Sequence, residues 1–205
     1  MFITFEGPDG SGKSTAISLL SDYLKSQKID FILTREPGAP NSKESAAIRE
    51  IIINKDNKIP PLTEALLFAA DRRMHLDNVI LPAINAGKIV LCDRYIDSSL
   101  AYQGEGRGLG IDKIKQINDI ATNSTYPDLT IFFDIEPIDS EKRVDARAPK
   151  DRMELSGRDF HENVYKGYKK VIEIFKDRFQ VVDATKTKEE VFEEVKMIVL
   201  KEINK

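Results

Sequence analysis

Apolar positions along this chain alternate between short runs and helical stripes. A mostly apolar run over residues 1–5 predicts a strand, and Ala16, Ile17, Leu20, Tyr23 and Leu24 then recur at helical spacing. Residues 31–34 form a second short run, followed by a Pro- and Gly-bearing turn over 35–40. In the next helix Asn41 with Glu44 reads as the N-terminal cap and Ile48, Ile51 and Ile52 as the buried stripe, which turns Arg49 away from it. A long helical pattern covers 63–87, with Pro82 expected to kink or split it and Gly87 to close it. Residues 88–92 are apolar on both faces except for Lys88, as in a buried parallel strand, and lead to Asp93.

The second half repeats the alternation. Residues 103–110 read as a Gly-rich loop, then Ile111, Ile114, Ile117, Ile120 and Ala121 mark an amphipathic helix opened by Asp112. Strands at 129–133 and 179–182 flank helices at about 140–146 and 159–176, and a basic loop at 147–152 lies between those helices. Thr187 and Glu190 form a capping box for a last helix that faces Val191, Val195, Ile198 and Val199 inward. Five strands interleaved with helices predict an α/β protein, a parallel doubly wound sheet that binds ligands outside the carboxyl ends of its strands.

Composition narrows the class. The 205 residues suit one domain, 1–205, with 41% apolar and 32% charged residues, and no run nears the roughly 20 apolar residues of a membrane span. The N-terminus reads as the first strand, without a basic leader, so the expectation is a cytoplasmic protein. One cysteine, Cys92, and two histidines leave neither an intrachain disulfide nor an ordinary zinc site. A net charge of −3 argues against a nucleic-acid polymer as partner.

The candidate chemistry begins where the first strand ends. Gly7 to Ser14 matches Gly-x-x-x-x-Gly-Lys-Ser between a strand and a helix. Backbone amides of Gly7, Pro8-Asp9, Gly10, Ser11, Gly12 and Thr15 would line a phosphate cradle, with Lys13 on the terminal phosphates and Ser14 on Mg2+. Asp93, at the end of the third strand, fits a second magnesium ligand; the alternative is a helix N-cap. Arg35, Arg49, Arg72, Arg94, Arg147 and Arg152 recur near strand ends and loops. A hydroxyl acceptor generally needs a base, whereas a phosphate acceptor needs charge and alignment, so the arginines favour the joining of two phosphate groups.

These residues resemble thymidylate kinases of the bacterial type. The resemblance rests on 7–14 with Asp9 inside, Thr-Arg-Glu-Pro-Gly at 34–38, Leu-Phe-Ala-Ala-Asp-Arg at 67–72, Asp-Arg-Tyr at 93–95, Ser-Ser-Leu-Ala-Tyr-Gln at 98–103, and Asp-Arg-Met-Glu at 151–154. It implies the three-layer P-loop NTPase fold, with a five-stranded parallel sheet flanked by helices and a lid at about 144–155. It also implies a homodimer, ATP with Mg2+ as phosphoryl donor, and dTMP as acceptor. Position by position, it implies that Phe68 stacks on thymine and that Arg72, Ser99 and Gln103 read the base edge. Arg94 and Arg49 would hold the acceptor phosphate, Asp9 and Glu36 would lie near sugar and magnesium, and Tyr102 would crowd the 2′ position. No basic residue stands among Pro8, Asp9, Gly10 and Ser11, so the transition-state charge is assigned to the lid, to Arg147 ahead of Arg152. Arg152 is placed on the ATP side, with a tie to Glu154 as its other role.

Two departures from the family pattern stand out. Ala39 replaces a second glycine after Gly38, which requires a negative φ there, and Asp145 adds an acid to the lid. Rival readings are a P-loop kinase for a nucleoside or another monophosphate, and a GTP-binding switch suggested by residues 54–57, Asn-Lys-Asp-Asn, whose last position departs from the guanine-reading motif.

Overall fold

The computed structural model describes residues 1–40, 42–145 and 151–205. The strands are β1 (Phe2–Glu6), β2 (Phe31–Arg35), β3 (Ile89–Asp93), β4 (Leu129–Asp134) and β5 (Phe179–Asp183). They form one wholly parallel sheet in the order β2-β3-β1-β4-β5. β1 lies at the centre because it is buried along its whole length, while β2 and β5, with exposed Leu33 and Val181, form the edges.

Period-2 alternation along β1 divides the core. Ile3 and Phe5 face α1 (Lys13–Ser26) and α9 (Lys188–Ile203), meeting Leu20, Leu24, Val195 and Val199. Phe2 faces the opposite layer of α3 (Pro61–His75), α4 (Leu81–Asn85), α5 (Ile96–Ser99), α6 (Ile111–Thr122) and α8 (Arg158–Ile174). The predicted capping box at Thr187 and Glu190 is present, and Val191, Val195 and Val199 are buried with Ile198 partly so. Cys92 is buried and unoxidised, and burial pushes its thiol pKa up.

Several local expectations are corrected. The cap of α2 (Lys43–Ile53) is Ser42, whose side chain accepts from the Ser45 amide at 3.1 Å; Asn41 lies outside the described residues. Ile52 is buried but Ile51 is exposed, because the inward face also carries Ser45, bound to Asp71. The helix at 63–87 is continuous, and a π-helical segment, Leu76–Ile80, just before Pro82 absorbs the break a proline imposes. A second π-helical segment, Leu100–Gly106, replaces the first part of the predicted 103–110 loop. On α6, Ile111 and Ile114 are buried and Ile117 packs against the core as expected, but Ile120 is 81% exposed, and Asn118 and Thr122 are buried as well. Asn118 is drawn inward as an acceptor for Arg72. α7 (Pro137–Asp145) leads toward the predicted lid, of which 146–150 lies outside the described residues.

Candidate active site

The loop after β1 is shaped by its glycines. Gly10 has φ +81°, and a Cβ there would lie 2.6 Å from the Ser140 carbonyl oxygen of α7; Gly12, at φ +88°, opens α1 with no side-chain cap. The first amides of α1 therefore keep their donors for an anion, with the positive end of the helix dipole behind them. Lys13 is buried and donates to the carbonyls of Gly7, at 2.8 Å, and Pro8, at 2.9 Å. Burial, and secondly the Arg94 cation, pull its pKa down to about 8. A polyanion in the loop would oppose this lowering by favouring the charged ammonium.

Two of the cavities that border this loop gather the candidate residues. One, of about 290 Å3, is lined by Ser11, Gly12, Thr15, Arg143, Ala184 and Lys186. Arg143, which sequence reasoning missed, donates to the Ala184 carbonyl at 3.1 Å. Its only sequence signal is a basic position near the end of α7, shared with its neighbour Lys142. The other cavity, of about 190 Å3, brings together Glu36, Arg49, Phe68, Arg72, Arg94, Ser99, Tyr102 and Gln103, with Asp9 and Asp93 at its edge. Asp9 and Gln103, 94 positions apart, converge there because β1, β2 and β3 end side by side.

Arg94 follows β3 in a left-handed backbone conformation, φ +70°, which costs a non-glycine residue on the order of 1–3 kcal/mol. Its guanidinium is held by Asp9 at 2.8 Å, the Ser98 and Tyr168 hydroxyls at 3.1 Å each, and the Tyr102 hydroxyl at 3.3 Å. Behind it Glu6 is fully buried, accepting from the Tyr95 amide at 2.8 Å, the Ser98 hydroxyl at 2.6 Å and the Tyr168 hydroxyl at 2.9 Å. Burial, and then the Asp97 charge, raise the Glu6 carboxyl to about 7.

Phe68 is half-buried and belongs to neither hydrophobic core, so it is cavity lining and not core packing. One turn further on, Arg72 commits four of its five N–H groups: Nε to Glu36 at 2.8 Å, Nη1 to Ser99 at 3.1 Å and to Asn118, and Nη2 to the Tyr95 carbonyl at 3.0 Å. The other oxygen of Glu36 meets His75 Nδ1 at 3.0 Å, so this carboxylate organises Arg72. Arg49 reaches the Pro37 carbonyl, and burial, then Arg35, lower its pKa. Ala39 avoids positive φ, as the sequence requires, while Gly38 adopts φ +96°.

Two lid assignments change or lie elsewhere. Arg152 pairs with buried Glu64 at 2.7 Å and donates to the Ile52 carbonyl at 2.6 Å, so its partner is not Glu154. Its neighbours Asp151 and Met153 line the acceptor cavity. Arg147 lies outside the described residues.

For a divalent cation the residues fit. Asp93 Oδ1 is buried without a hydrogen-bond partner among the described residues, and Asp93 and Ser14 line one cavity of about 450 Å3. No group of three or more His, Cys, Asp or Glu side chains gathers among the described residues. One carboxylate and one hydroxyl beside a phosphate cradle suit Mg2+, which retains water and takes substrate phosphates as ligands.

The family model described as thymidylate kinase matches residues 5–195. A relative from Finegoldia magna named thymidylate kinase is 51% identical over 193 residues, covering 94% of each chain. Another from Bacillus velezensis, of the same name, is 46% identical over 209 residues, covering 100% of this chain and 97% of its own. A solved thymidylate kinase from Ehrlichia chaffeensis superposes with a TM-score of 0.77 at 33% identity, covering 98% of each chain.

Proposed function

Because the chain belongs to the thymidylate kinase family, we propose that it transfers the γ-phosphoryl group of ATP to dTMP, giving dTDP and ADP. The observation that carries this reading is the single cavity that holds Arg94, Arg49, Phe68, Arg72 and Gln103 beside the phosphate loop. It offers cations for one phosphate, a ring for a base, and polar groups for the base edge. The family resemblance of Phe68 to the thymine platform is supported by its position on the cavity wall.

The chemistry needs little more than alignment. An acceptor phosphate oxygen is already a nucleophile, so the protein's part is to hold two polyanions in line and neutralise their repulsion. Lys13 and the α1 amides bind the donor β- and γ-phosphates; breaking its bonds to Gly7 and Pro8 frees the ammonium for them. Arg94 and Arg49 bind the acceptor phosphate, and Asp9 fixes the Arg94 fork. Asp93 and Ser14 would hold Mg2+, which would supply positive charge against the negative charge of the donor phosphates. With Arg152 committed to Glu64, Arg147 is assigned the charge on the group in flight. The cavity formed with Arg143, Ala184 and Lys186 is assigned to the adenosine end of ATP. The lid, at about 144–155, is read as part of one domain spanning 1–205, in a cytoplasmic protein.

The homodimer is part of the same reading. Leu62 and Leu66 on α3 and Ile120 on α6 are 47%, 51% and 81% exposed, and α3 and α6 adjoin through the bond from Arg73 to the Ala121 carbonyl. Apolar side chains facing solvent on two adjoining helices suit a two-fold contact.

The test is a coupled ADP-release assay across dTMP, dUMP, dCMP, AMP, GMP and thymidine, with Lys13→Met as control. The expected result is preference for dTMP or dUMP and near-complete loss of kcat in a folded Lys13→Met protein. Preference for another acceptor, or retention of most of the kcat, overturns the reading.

A further inference from the structure

Glu64 lies one turn before Phe68 on α3 and is fully buried, although the phosphoryl transfer uses no carboxylate there. It accepts from Gln103 Nε2 at 2.9 Å and Arg107 Nε at 3.2 Å through Oε1, while Oε2 faces Arg152 Nη1 at 2.7 Å. Oε1 takes N–H groups from both Gln103 and Arg107 and Oε2 forms an ion pair with Arg152, so toward Gln103 the Glu64 carboxylate is a hydrogen-bond acceptor. This settles a question that the shape of an amide leaves open. A glutamine side chain presents either its NH2 or its carbonyl to a ligand at nearly equal steric cost, and its neighbours decide which. Beside Glu64 the Gln103 NH2 must turn to the carboxylate. Its Oε1 accepts no bond from the described residues, and Gln103 lines the cavity with Phe68, Arg72 and Ser99.

The neighbours supply the opposite polarity. Ser99 Oγ accepts from Arg72 and keeps its own proton to give, and Arg72 retains one N–H. The wall therefore presents one carbonyl acceptor among donors. Thymine and uracil offer an N3–H donor between two carbonyl acceptors, whereas cytosine offers a bare N3 and an exocyclic amine. We infer that Glu64 is a specificity-positioning residue, which fixes the Gln103 amide so that its carbonyl meets an N3–H donor and repels the N3 lone pair of cytosine. The inference rests on the placement of the base against Phe68. A site built around a buried polar contact rejects a mismatched partner strongly, because the mismatch leaves desolvated groups unpaired.

The experiment is steady-state kinetics of the full chain with dTMP, dUMP and dCMP. Glu64→Gln allows the Gln103 amide to turn over, and the dTMP-to-dCMP ratio of kcat/KM should fall at least about tenfold while the dTMP-to-dUMP ratio is unchanged. Glu64→Asp keeps an acceptor-only partner and should retain discrimination even where the overall rate drops. A dTMP-to-dCMP ratio within about twofold of wild type in folded Glu64→Gln overturns the inference, whatever happens to the rate. Should that variant fail to fold, the Gln103 side-chain amide protons of the ligand-free wild-type protein decide by NMR. Slow solvent exchange supports the contact with Glu64, and exchange as fast as in an exposed glutamine overturns it. Phe68→Ala separates the premise: it should raise KM for dTMP and dUMP alike, and an unmoved KM overturns the base placement and this inference with it.

Discussion

Arg94 shows how much a single residue here depends on others. Its position after an apolar strand is legible in the sequence, and so is its suitability for a phosphate, but its left-handed backbone and its four side-chain partners are not. Those partners come from the phosphate loop, from α5, from the π-helical segment and from α8, and only the fold brings them together. Replacing Arg94 with Lys keeps the charge and loses the planar fork, so KM for dTMP should rise roughly ten- to hundredfold in steady-state assays. Glu6 makes a pH prediction. Its folded pKa of about 7 lies above the usual carboxylate value, so between about 4.5 and 7 the folded state binds more protons than the unfolded one. Stability should therefore decline across that window by about 3 kcal/mol at most, with the loss complete above pH 7. Denaturant melts of Glu6→Gln should lack this part of the slope; an identical slope in the variant would refute it.

Among the elements, those with strong apolar periods match the sequence reading, and those that serve the site depart from it. α9 and its capping box follow from spacing alone. In α6 the period suggests burial of Ile120, yet Arg72 needs an acceptor and pulls Asn118 inward, which rotates Ile120 to solvent. Likewise the π-helical turns at 76–80 and 100–106 answer to Pro82 and to the packing of α8 and carry no pattern of their own. Two predictions belong at this scale. Ile120→Glu should yield a folded monomer by light scattering under conditions where the parent chain is a dimer, and an unchanged dimer removes α6 from the proposed interface. Gly10→Ala drives a Cβ to 2.6 Å from the Ser140 carbonyl at φ +81°, so it should cost on the order of 1–3 kcal/mol in thermal or denaturant unfolding and impair turnover by displacing the loop from α7.

Across the whole molecule, the sheet order β2-β3-β1-β4-β5 sets the loops after β1, β2 and β3 around one crevice, with the donor cavity toward β5 and the acceptor cavity toward β2. Chelation of divalent cations should abolish transfer while dTMP still raises the melting temperature, because the acceptor cavity holds its own cations; loss of dTMP stabilisation on chelation would contradict this division. By itself the sequence determined the strands, most helices and the phosphate loop, because these depend on local periodicity and on groups whose chemistry is fixed by type, while the acceptor-side residues are named only through the family resemblance. Tertiary structure decided how those groups are aimed. Among the described residues, Arg72 has a single N–H to spare, Gln103 gives its NH2 to Glu64, Arg152 pairs with Glu64, and Asp93 keeps one buried oxygen unpaired. Each of these depends on a partner 23 or more residues away or on the lack of one, and hydrogen-bond polarity across such distances has no signature in sequence spacing.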